Sequence, residues 1–179
     1  GDSGVGNRIR QMRFAFTGDP TIQGQILWIR ISNRPDLLDA AEKRSGRSSE
    51  RIPLLMPDAD EKARIFEVMP RKHGFPCEVS DFSSIVGQCE QRFPGQISGA
   101  DIEEITFRAY RRARWRGAEA IALDDYRWAV DDFIPSEDRQ SIEARERAAL
   151  ALCSSRQFLP EGRRDLLGST ESGGGGGAA

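Results

Sequence analysis

The apolar positions of this chain follow two rhythms. Ile26-Leu27-Trp28-Ile29-Arg30-Ile31 is almost continuously apolar, as a strand buried on both faces reads. Arg51-Ile52-Pro53-Leu54-Leu55 reads as a second strand, and its Pro53 suits a strand end or edge. Elsewhere the spacing is helical. Ile9, Met12 and Phe16 share one side of a helix predicted over 7–16, which ends at Gly18-Asp19-Pro20. Asp36 caps a short helix over 37–43. Asp58, with Glu61 three residues on, opens a helix through Ile65, Phe66 and Met69 that stops at the turn His73-Gly74-Phe75-Pro76. Ser80 is expected to cap a helix carrying Phe82, Ile85 and Val86, broken at Phe93-Pro94-Gly95. Ser98 and Asp101 form an S-x-x-D start for a helix over 99–116, with Ile102, Ile105, Ala109 and Ala113 near one face. Another helix is predicted over 124–133. A further charged helix spans 137–155, with Ile142, Ala149, Leu150 and Leu152 available to pack.

This order predicts an α/β piece followed by an all-α four-helix unit, mostly helical overall. The boundaries read as 1–56 for the strand–helix–strand piece, 57–136 for the helical unit, 137–160 for a C-terminal helix and 161–179 for a flexible, glycine-rich tail. Two strands cannot bury both faces, so the N-terminal third is expected to be marginally stable.

The most specific chemistry follows the first strand. Ser32-Asn33-Arg34-Pro35-Asp36 runs on through Asp39-Ala40-Ala41 to Arg44-Ser45-Gly46-Arg47. A neutral amide at a strand end donates to a phosphate oxygen, or orients water, without adding charge, and a rigid strand holds it in place. Two arginines provide planar, always-charged forks suited to a phosphoryl group. The run resembles the second region of homology of AAA+ ATPases. By that resemblance Asn33 stands at the sensor-1 position, and Arg44 and Arg47 stand at the two fingers that reach a neighbouring subunit's nucleotide. Ser32, Ser45 and Ser48-Ser49 depart from the usual pattern and leave Asn33 and both arginines in place.

A second motif agrees. Ser98-Gly99-Ala100-Asp101 is similar to the start of the AAA lid helix, where small residues lie close to the bound nucleotide. The resemblance assigns that role to Gly99 and Ala100, and it makes 123–136 the last lid helix with its Pro-Ser ending. It implies the end of a P-loop NTPase parallel sheet followed by a helical lid. It further implies ATP and Mg2+ as cofactors, a homo-oligomeric ring and a protein substrate. No G-x-x-x-x-G-K-[ST] loop and no apolar strand ending in Asp-Glu occur in the chain. The expectation is therefore the C-terminal portion of an AAA+ module, inactive alone. The other reading is a non-catalytic subunit that supplies arginines in trans to an active partner.

Composition adds bounds. The 179 residues carry a net charge of −2, which gives no overall drive toward nucleic acid. No apolar run approaches the ~20 residues of a membrane span, and no signal peptide is visible. Cys77, Cys89 and Cys153 are odd in number and far apart, which fits free thiols in a reducing cytoplasm. No metal site is expected. His73, the one histidine, reads as a solvated turn residue. Asp124-Asp125 and similar adjacent acids diverge on a helix and read as solvated faces. Arg108, Arg111, Arg112, Arg114 and Arg116, interleaved with Tyr110 and Trp115, also read as a solvated face, with polyanion binding as the weaker alternative.

Overall fold

A computed structural model describes residues 4–34, apart from Gln23 and Trp28, and residues 50–167. The described residues are mostly helical: α1 Gly4–Thr17, α2 Ala59–His73, α3 Ser83–Arg92, α4 Gly99–Trp115, α5 Leu123–Asp132 and α6 Arg139–Leu152. Short 3₁₀ turns follow at Arg156–Phe158 and Glu161–Leu167. The chain forms two compact units: Leu55–Glu146, and Gly1–Leu54 together with Arg147–Ala179.

In the unit 55–146 each helix start is fixed by a local side chain. The Asp58 carboxylate accepts from Glu61 N at 2.9 Å, and Glu61 Oε2 accepts from Asp58 N at 3.0 Å, so two orphan donors of α2 are satisfied reciprocally. The other end of α2 stops at Gly74, whose φ of 66° is a left-handed conformation that a side chain would strain. The start of α3 differs from the expectation. Asp81, not Ser80, accepts from Ser83 N at 2.8 Å and from Ser83 Oγ at 2.6 Å, because its carboxylate lies on the turn that carries those donors. In α4, Ser98 and Asp101 make the predicted capping box.

Helix α2 packs on α3 and α4, and α5 packs on α3 and α4. The enclosed core contains Phe66, Phe82, Ile85, Ile97, Ile102, Ile105, Ala109, Ile121, Tyr126 and Val130. Phe66 stacks on Phe82 at 5.5 Å, and the Tyr126 ring meets both edge-on at 5.8 and 5.1 Å. Burial of each such side chain stabilises the fold by roughly 1.5–3 kcal/mol. The Tyr126 hydroxyl is sealed in this core without a hydrogen bond of good geometry, although Thr106 and Cys77 lie beside it. Lys62 is buried too, and its ammonium is paired with Glu90 of α3. The loops before α3 and α5 are tied by a parallel bridge between Cys77 and Ile121, with Glu78 N donating to Ile121 O at 3.0 Å and Ile121 N to Pro76 O at 2.9 Å. Met56 N donates to Glu146 Oε1 at 2.6 Å and closes the unit.

The other unit does not show the expected sheet. The described residues of 26–31 form no strand, and Leu27 (84%) and Ile31 (89%) stand in solvent. A strand leaves its backbone groups unpaired until a neighbour joins it, and no neighbour is present among the described residues. Residues 51–55 likewise form no strand. Arg51 is held instead by Ser154 and Leu152: Ser154 N donates to Arg51 O at 3.2 Å, and Arg51 Nε donates to Leu152 O at 2.6 Å. The apolar side of α1, Ile9, Met12 and Phe16, is exposed. The predicted short helix over 37–43 lies outside the described residues.

Candidate functional site

Gly99 and Ala100 occupy the first turn of α4. The turn is built by Ser98, whose Oγ accepts from Asp101 N at 3.2 Å, while Asp101 Oδ2 accepts from Ser98 N at 2.9 Å and from Ser98 Oγ at 2.6 Å. The positive end of the helix is thus already met by its own carboxylate. A phosphate at this point would be repelled by the Asp101 carboxylate, whereas a neutral ring or sugar would not. A Cβ built on Gly99 would meet nothing nearer than Ile65 Cδ1 of α2, at 4.0 Å. Packing among the described residues therefore does not demand glycine here. The backbone is open to something flat that approaches beside Ile65, with the exposed Ala100 next to it.

Asn33 belongs to the other unit. It sits exposed in a bend, where the Ser32 hydroxyl accepts from Arg34 N at 3.1 Å. Arg44 and Arg47 lie outside the described residues. The described residues leave room beside Gly99 for the base side of a nucleotide. They do not fit its phosphates or Mg2+: the sequence has no phosphate loop, and no group of three His, Cys, Asp or Glu among the described residues could hold a metal ion.

Three side-chain readings need correction. Asp125 is not solvated. It is 1% exposed and accepts a two-pronged contact from Arg116, Nε to Oδ1 at 3.0 Å and Nη2 to Oδ2 at 2.8 Å, plus a bond from Ala122 N at 2.9 Å. Burial pushes its pKa up, but the Arg116 and Ala122 bonds and the charges of Arg116 and Arg112 outweigh it and hold the carboxyl below its usual value. Its neighbour Asp124 is the exposed member of the pair. The arginines of α4 are likewise not all solvated. Arg108 bonds Glu104 and Asp132, and Arg112 bonds the Asp124 carbonyl and lies 5.3 Å over the Trp128 ring. His73 is half-buried rather than solvated. Its Nε2 lies 2.7 Å from Glu103 Oε1, and its ring stacks 5.5 Å from Phe75. Sequence reasoning missed these because the deciding partners, Arg116 for Asp125, Asp132 for Arg108 and Glu103 for His73, lie far along the chain on other elements. Cys77, Cys89 and Cys153 are free thiols, and burial pushes Cys89 up to about 12, so it is inert.

A helical unit of this order, entered through Ser-Gly-Ala-Asp and preceded in sequence by Asn-Arg-Pro-Asp, defines the later part of an AAA+ module, and the chain belongs to the AAA+ ATPase family. Its relatives are more particular. It is 31% identical over 147 residues to the ATP-dependent zinc metalloprotease FtsH of Rhodothermus marinus, a match that covers 81% of this chain and 20% of that protein. It is 34% identical over 129 residues to FtsH 3 of Sphaerobacter thermophilus (71% and 25%), and 30% identical over 145 residues to FtsH of Thermotoga maritima (80% and 23%). The chain spans about a fifth to a quarter of the length of these relatives. No family model matches it. With a single histidine, committed to Glu103, the chain has no two-histidine zinc motif of the H-E-x-x-H kind. No helix among the described residues is long and apolar enough to cross a membrane.

Proposed function

We propose that this chain is the finger-and-lid portion of an ATPase that works as a homo-oligomeric ring on the cytoplasmic side and remodels a protein substrate. Residues 1–56 belong to the α/β core and 57–136 to the lid. Bound ATP with Mg2+ supplies the phosphoanhydride whose cleavage drives the cycle. The chain's own residues orient and neutralise. Asn33 holds water or a terminal phosphate oxygen within its own subunit, and its amide adds no charge. Arg44 and Arg47 extend fixed positive forks toward the neighbouring subunit's nucleotide. Gly99 and Ala100 border the base-and-sugar side, and Asp101 keeps phosphate away from the α4 terminus.

The observation that carries this reading is the match to ATP-dependent relatives along four-fifths of the chain, together with an uncrowded Gly99 backbone at a fully capped helix start. The test begins with the coding sequence upstream of Gly1. With an in-frame phosphate loop and Asp-Glu strand, Arg44→Ala or Arg47→Ala in the intact protein should lower ATP turnover by about 10³ or more and leave nucleotide binding in place. Unchanged turnover in both variants overturns the finger assignment. A coding sequence without those elements favours the subunit that acts in trans.

A further inference from the structure

The basic run of α4 divides into two faces with different fates. Arg108, Arg112 and Arg116, four residues apart, turn toward α5 and are consumed there by Asp132, the Asp124 carbonyl and Asp125. Arg111, Arg114 and Trp115 turn elsewhere. Arg114 is exposed, and its guanidinium has no hydrogen-bond, ion-pair or ring partner among the described residues. Arg111 has a side chain 65% exposed and only a 3.2 Å contact to Glu104, an acid it shares with Arg108. Trp115 is 93% exposed, more than any other large apolar residue of the described structure.

Arg111 lies three positions before Arg114 and four before Trp115, so it neighbours both on the helix surface, while Arg114 and Trp115 are consecutive and point apart. One exposed indole ring and two lightly held guanidinium groups thus share the last turns of α4, and the helical unit does not use them. Trp115 does not serve the fold: the core face of α4 is complete with Ile102, Ile105, Ala109 and Ala113. Trp and Arg are also the residue types that anchor interfaces, the ring by buried area and the fork by two-pronged contact with a carboxylate.

We infer that Arg111, Arg114 and Trp115 form a docking patch for an acidic peptide segment of a partner protein. Carboxylates of the segment pair with Arg111 and Arg114, and an apolar side chain between them covers the Trp115 ring. Charge complementarity selects this partner over a nucleic acid. Two cations on a chain of net charge −2 do not make the long basic groove that tracks a phosphate backbone.

The test uses the full chain and a fluorescent peptide of alternating glutamate and leucine, with its glutamine counterpart as control. Anisotropy should report binding of the glutamate peptide, weakened by salt. Trp115→Ser, and Arg111→Gln combined with Arg114→Gln, should each weaken it at least ~tenfold, with unchanged thermal melting as proof of an intact fold. No binding, equal binding of the glutamine peptide, or binding that survives both variants overturns the proposal. So does an oligothymidylate bound more tightly through the same three residues. Self-association of the chain that disappears in Trp115→Ser, followed by sedimentation, overturns it in favour of a second copy.

Discussion

Residues 55–146 and residues 4–34 carry similar apolar side chains and treat them in opposite ways. In the first region Phe66, Ile85, Ile102 and Tyr126 are sealed, while in the second Ile9, Leu27, Ile29 and Ile31 stand in water. For 26–31 the difference lies in how the element satisfies its backbone; helix α1 bonds within itself, yet its Ile9, Met12 and Phe16 side stays exposed. A helix bonds within itself and needs only a cap and one partner face, all of which the helical unit finds within its own length. A strand needs a neighbour before its apolar faces have anything to pack on.

The sharpest test of that contrast is a pair of truncations. Phe66→Ala should cost about 3–5 kcal/mol in urea unfolding, because it leaves a cavity against Phe82 and Tyr126. Leu27→Ala should change stability by less than ~0.5 kcal/mol. An equal cost at both sites would break the comparison. Next in size is Asp125→Ala, expected to cost about 1–3 kcal/mol, since it strands the Ala122 amide and frees Arg116. The pH dependence has a definite sign. The folded pKa of Asp125 lies below its unfolded value of ~3.9, so its contribution is fully present above that value and is lost as pH falls through the lower folded one. The stability gap between the native chain and Asp125→Asn should therefore hold constant from neutral pH to about 4 and shrink below it. A small effect is also expected of Tyr126→Phe. Removal of a hydroxyl that lacks a good partner should be neutral or stabilising by less than ~1 kcal/mol in the same assay.

What could be read in advance follows the range of each interaction. The capping boxes at Asp58 and Ser98, and the α4 stripe of Ile102, Ile105, Ala109 and Ala113, were legible because a cap or a helical face is written within a few residues. The α3 start was misread, since the N-cap position falls at Phe82, which makes no side-chain cap bond, and Asp81 just before it, instead of Ser80, holds Ser83. Asp125 and the inner arginines were illegible because their partners sit nine to twenty-four residues away, on an element whose rotation no local pattern specifies. The same holds for the candidate site. Gly99 and Ala100 could be found only from their motif, since packing among the described residues leaves room for a side chain at Gly99. Asn33, Arg44 and Arg47 were legible only as a spacing, since their task depends on groups that other segments or subunits bring.

The bond from Met56 N to Glu146 Oε1 joins residues 90 apart. The peptide thus enters and leaves the four helices through one narrow neck. Tension between the two ends would part Met56 from Glu146 before it unravelled a single helical turn.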